Sequence, residues 1–223
     1  MPPPDRRTEI LTAATRVIAR RGVRGLRVAE LAKEAGVSVA LIYYHFGDRA
    51  GLLRRTLEFI GDRAERYTAG PDAASDPAAS DPDPRSELEQ TLLLELQDTP
   101  VVRENSTAWG ELRASAVFDP EPREDLAAAT LAWVHGTAEL LGRAHPGGTA
   151  PAHAAAAERL TALLEGLSQR WLSGSIPLEH ARHLLAEAVA VELGVGVGGV
   201  GVGVGHHPLP PPPRKVAERC SST

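Results

Sequence analysis

The stretch Gly36–Leu53, GVSVALIYYHFGDRAGLL, opens on a glycine break and sets two tyrosines, a histidine and an arginine close together. Ser38 is a natural N-cap for a helix Val39–Phe46. On that helix Ile42 and Phe46 stand at i and i+4, so they share the face turned toward neighbouring helices. At about 100° per residue, Ala40, Leu41, Tyr43 and Tyr44 point mostly away from that face. The helix is two-faced: Ile42 and Phe46 hold it, and the tyrosines are left for contact with something else. Asp48 caps a fourth helix running to about Tyr67. Its Leu53, Leu57, Ile60, Ala64 and Tyr67 form a seam longer than three small helices need, which predicts docking onto a further domain.

Upstream, Ile10, Ala13, Ala14, Val17 and Ile18 follow i, i+3, i+4, i+7, i+8, one helical stripe ending at Arg20, Arg21 and Gly22. A second helix fits Val28–Ala35, with Val28, Leu31, Ala32 and Ala35 inward. Downstream, Gly70–Pro84 reads GPDAASDPAASDPDP, with AASDP twice in tandem. That composition cannot build a packed face, so residues 70–85 are expected to be a flexible loop. Helical patterns resume at Ser86, where Ser86 and Glu89 suggest a capping box. They continue over Val101–Phe118, Glu124–His145, Ala152–Leu172 and Leu178–Leu193, the last with Pro177 at its first position. From Gly194 the chain is Gly-Val and Pro repeats, expected to be a disordered tail.

The chain has 223 residues and a formal charge of −5. Residues 1–70 carry 13 Lys+Arg against 8 Asp+Glu, and residues 71–223 carry 11 against 21. A basic head on an acidic body points to a polyanion-binding head. Aromatics are 4% of the chain and alanine is abundant, which favours helices. The single cysteine, Cys220, allows no internal disulfide and no cysteine-based zinc site. The start has no apolar signal core, and no run is long enough for a membrane span. The expectation is a soluble, cytoplasmic protein with no membrane contact.

Short helices with a glycine turn between the second and third form a helix-turn-helix pattern. The stretch ILTAATRVIARRGVRGLRVAELAKEAGVSVALIYYHFGDRAGLL resembles the DNA-binding domain of the TetR family of transcriptional regulators. The carrying positions are Gly22, Ala32, Gly36-Val37-Ser38, Ile42-Tyr43 and His45-Phe46. The resemblance implies an all-α fold: a head at residues 5–50, a connecting helix at 51–69, and a helical effector-binding and dimerisation domain at 86–193. It implies that Tyr43 and His45 touch the DNA backbone, and that Arg49 is a phosphate clamp. Val39, Ala40, Leu41 and Tyr44 would face the major groove, with Ser38 at the helix start. Leu26 and Arg27 replace the hydroxyl residues usual before the second helix. That removes a side-chain cap and sets Arg27 near phosphates. Arg20, Arg21 and Arg24 extend the basic surface.

The same resemblance implies a homodimer on a palindrome-like operator, most simply a repressor released by a small-molecule effector. Trp109, Trp133 and His135 are candidates for the effector pocket. Leu160, Leu164, Trp171, Leu184, Leu185 and Ala188 are candidates for the dimer interface. A DNA-binding dimer without a ligand stays open, as does a helical enzyme carrying an incidental head. No nucleophile elbow, P-loop or organised catalytic set is present, so no enzyme and no cofactor are expected. His180 and His183 with Glu179 and Glu187, and His135 with Glu139, are helix-spaced pairs without a third ligand. No metal is expected there.

Overall fold

The computed structural model describes residues 5–69 and 83–194. Residues 70–82 of the loop expected at 70–85 and residues 195–223 of the tail expected from Gly194 lie outside the described residues. Nine α-helices and no strands make up the described part. They are α1 (Arg6–Arg21), α2 (Val28–Ala35), α3 (Val39–Phe46), α4 (Arg49–Thr68), α5 (Pro84–Leu93), α6 (Pro100–Phe118), α7 (Arg123–Ala144), α8 (Ala150–Leu172) and α9 (Leu178–Glu192), with a 3-10 turn Val23–Gly25 after α1.

The head is made by three short helices closing on one another. Ile10, Ala14, Ile18, Leu31 and Ile42 are buried together. Gly36 ends α2 in the left-handed region, with φ 65° and ψ 33°, where a Cβ would be strained. Its neighbour Val37 N–H bonds back to the Ala32 carbonyl at 2.9 Å, which turns the chain sharply into α3. Arg27 occupies the N-cap of α2 without a side-chain hydrogen bond. Asp48 Oδ1 accepts from Gly51 N–H at 2.7 Å and starts α4. A Cβ on Gly51 would fall 2.2 Å from the Phe46 carbonyl oxygen, so glycine is what lets the end of α3 lie against the start of α4.

The seam of α4 packs as its spacing predicts, with Leu53, Leu57 and Ile60 buried. The head core does not close on itself. It continues through α4 into Ala108 and Leu112 of α6 and Leu126 of α7. A second core joins α5, α7, α8 and α9 through Leu88, Leu141, Leu160, Leu164 and Leu185.

Some element starts differ from expectation. α5 begins at Pro84, capped by Asp83, whose carboxylate accepts from Ser86 N–H at 3.3 Å. Ser86 is therefore inside the helix, because Pro84 presets the first turn and Asp83 supplies the acceptor. Residues 84 and 85, assigned above to the loop, are helical. Pro177 is the N-cap of α9 and not its first helical residue.

Candidate nucleic-acid interface and effector cluster

Helix α3 presents the surface that its two-faced pattern requires. Ser38 Oγ accepts from Leu41 N–H at 3.1 Å and anchors the first turn. Ile42 and Phe46 are buried, whereas Val39, Tyr43 and Tyr44 are exposed, Tyr44 to 82%. Ala40 is exposed and Leu41 half-buried. His45 is half-buried, its ring 5.3 Å from that of Tyr44 in an edge-on arrangement. Arg27 is exposed at the foot of α2 and has no side-chain partner among the described residues.

The remaining arginines are more committed than their positions in the sequence suggest. Arg20 binds Glu34, and Arg21 binds Glu30, both pairs tying α1 to α2. The Arg24 guanidinium lies 5.6 Å from the ring centre of Phe118 at the end of α6. Arg49 is half-buried, and its Nη2 donates to the Val23 carbonyl at 2.8 Å. It therefore locks the start of α4 to the turn after α1.

Polar side chains link the head and α4 to the body. Arg16 of α1 approaches Glu34 at 3.7 Å and Glu104 of α6 at 3.5 Å, and Glu104 binds Arg63 of α4 at 2.8 Å. Next to Glu104, buried Asn105 donates to the Ile60 carbonyl of α4 at 3.0 Å. The Tyr67 hydroxyl donates to Glu95 at 2.6 Å, joining α4 to the segment after α5. Burial holds the Glu95 carboxyl above its ordinary range, partly offset by the bond from Tyr67. The Tyr67 phenol is raised by burial and by the neighbouring Glu95 charge.

In the body, Trp109 and Trp133 meet edge to face with ring centres 6.3 Å apart. His135 is not with them: its side chain is 76% exposed and faces Glu139 one turn on. It lies on the solvent side of α7, two residues from Trp133 and so on a different face. The trio expected from sequence is thus a pair. Its neighbours are Glu165 of α8, which accepts from Trp109 Nε1 at 2.6 Å, and Arg113, one turn after Trp109. Arg113 was legible in principle from its i+4 spacing to Trp109. Glu165 was not, because it arrives from a distant helix. A separate indentation of about 20 Å³, room for one water, lies between Leu53, Leu57, Leu112 and Pro122.

The residues expected at a dimer interface divide. Leu160, Leu164, Trp171 and Leu185 are buried in the subunit's own core, none above 6% exposed. Leu184 and Ala188 are half-buried. The outer side of α8 instead shows Ala155, Ala162, Leu163 and Gly166, and α9 shows Val191 at its end. Among the described residues no group of three or more His, Cys, Asp or Glu is placed to hold a metal ion. No described helix is long and apolar enough to cross a membrane.

A tri-helical head with an exposed third helix, joined to a helical body, defines a helix-turn-helix DNA-binding regulator. Residues 10–56 match the family described as bacterial regulatory proteins, tetR family, and residues 84–194 match the BetI-type transcriptional repressor C-terminal family. The structure superposes with TM-score 0.75 on a TetR-family transcriptional regulator from Rhodococcus sp., 44% identical, covering 84% of this chain and 98% of that one. The chain belongs to the TetR family. The HTH-type transcriptional regulator BetI of Burkholderia thailandensis is 27% identical over 77% of this chain and 82% of its own length. A transcriptional regulator from Saccharomonospora viridis, solved in complex with choline, is 25% identical with TM-score 0.63, covering 81% of this chain and 93% of that one. The multidrug binding protein EbrR, solved with proflavin, is 28% identical with TM-score 0.52, covering 82% and 99%.

Proposed function

We propose that this regulator is a homodimeric repressor that grips a palindrome-like operator with two α3 helices and is released by a small organic cation. The carrying observation is the exposure of Tyr43 and Tyr44 on a helix whose other face is fully buried. Tyr43, His45, Arg27 and Arg49 supply donors to phosphates and set register, while Ser38, Val39, Ala40, Leu41 and Tyr44 face the groove. With so few polar groups at the start of α3, base reading relies on thymine methyl contacts and DNA shape.

The cationic class of effector is supported by Trp109, Trp133 and Glu165, since aromatic faces beside a carboxylate favour cations. Choline and proflavin, held by the two related structures, are both organic cations. Effector binding favours one arrangement of α6, and the links from Glu104 and Asn105 to α1 and α4 carry the change to the head.

The test is selection of genomic fragments by the purified full-length chain, followed by anisotropy on the enriched sequence. An inverted repeat with half-sites about one duplex turn apart is expected, bound by two subunits and released by choline or proflavin. Enrichment of no motif, or binding by a single subunit, would overturn the DNA reading. Complexes unmoved by either cation would overturn the cationic effector.

A further inference from the structure

Glu165 serves two donors at once. Trp109 Nε1 donates to its Oε1 at 2.6 Å, and Arg113 Nη2 lies 2.7 Å from the same oxygen. The Arg113 guanidinium carbon is 5.3 Å from the centre of the Trp109 ring, and Trp133 meets Trp109 edge to face at 6.3 Å. An aromatic face next to a carboxylate is how proteins hold organic cations. Here the place is taken by a cation belonging to the chain itself.

The placement is open to competition on its exposed side. The Arg113 side chain is 39% exposed, so the position opens to solvent on one side. Its Nε is buried without a hydrogen-bond partner, so the residue forfeits one donor to stay there. Its third contact is Thr130 Oγ1 of α7, at 2.8 Å. A single side chain on α6 thus touches α7 and α8 through polar contacts that a competitor for Glu165 would break.

We propose that Arg113 is a built-in occupant of a cation site, and that an organic cation, a quaternary ammonium or a flat aromatic amine, binds by taking its place between Trp109 and Glu165. The inference rests on the effector reading above and adds how that site is regulated. Displacement removes the contacts of Arg113 with Glu165 of α8 and with Thr130 of α7, leaving Trp109 as the α6 donor to Glu165. Helix α6 also carries Glu104 and Phe118, which touch Arg16 and Arg24 of the head, so the release is felt there.

Removing the Arg113 charge from the site should strengthen binding of a like-charged ligand. Calorimetry on the full chain with choline and with proflavin tests it, with 3,3-dimethylbutan-1-ol as the uncharged analogue of choline. Arg113→Ala should bind at least one of the two cations roughly tenfold more tightly than the parent. Arg113→Gln, which can still reach Thr130, should show the same gain and guards against a folding artefact. Adding Glu165→Gln to Arg113→Ala should abolish the gain, and the alcohol should bind none of the variants. Equal or weaker cation binding by both Arg113 variants, no binding of either cation, or equal binding of the alcohol overturns the proposal. DNA release is read separately. A tightened cation that leaves the operator complex intact sinks the effector reading and leaves the displaced arginine standing. Release by a cation whose affinity ignores Arg113 does the reverse.

Discussion

At the level of single side chains, α3 divides labour by face. Ile42 is 1% exposed and Tyr44 is 82% exposed, although only one residue separates them. Ile42→Ala should cost roughly 2–5 kcal/mol of stability by opening a cavity in the head. Tyr44→Ala should leave the denaturation midpoint unchanged while weakening operator binding roughly tenfold by anisotropy. Equal loss of stability in both variants would mean that Tyr44 belongs to the core. This division was legible in the sequence, because a short helix with two large apolar residues at i and i+4 has only one way to face inward. The occupation of Arg20, Arg21 and Arg49 was not. Glu30, Glu34 and the Val23 carbonyl reach them from elements whose relative angle no local pattern records.

Among the helices, α6 meets both the head and the body, and its residues Glu104 and Asn105 meet α1 and α4 at adjacent positions. The Arg63 and Glu104 side chains are 16% and 19% exposed, so their bond is only weakly screened. Glu104→Gln should lower stability by about 1 kcal/mol in urea titrations and speed amide exchange in α1 near Arg16. Unchanged exchange there would show that α1 is held by apolar packing alone.

Glu95 gives a pH signature at the same junction. Its folded carboxyl binds a proton more tightly than the unfolded one, because burial disfavours the charge. The resulting stability is fully present below the ordinary value of 4.5 and is lost as pH rises through the folded value. Near neutrality, then, the charged group is a cost. Glu95→Gln keeps an acceptor for Tyr67 and should be more stable than the parent at pH 7, the gap narrowing as pH falls toward 4.5. A gap that widens on acidification would contradict the burial argument. The helices themselves were readable from period and caps. The junction was not, since Tyr67, Glu95 and Asn105 are polar residues far apart in the chain that only packing brings together.

For the whole molecule, the face of α8 that a second subunit would meet is set by packing and not by period. Helix α8 is rich in Leu and Ala on more than one side, so periodicity alone did not separate the face toward the subunit core from the face toward a partner. Leu163 and Leu164 are neighbours, yet one is 37% exposed and the other 2%. The small residues Ala155, Ala162 and Gly166 beside Leu163 permit close approach of a second α8. Leu163→Arg should yield a folded monomer by light scattering and weaken operator binding, since two heads no longer act together. A dimer that survives this change would place the contact elsewhere.

The pairing of Arg20 and Arg21 with Glu34 and Glu30 bears on how such a protein finds its target in a cell. Cations already neutralised within the head release few ions when random duplex is met, so loose encounters are brief and little of the pool is trapped on them. On the DNA reading proposed above, occupancy is then governed by the fit of α3 to its own site.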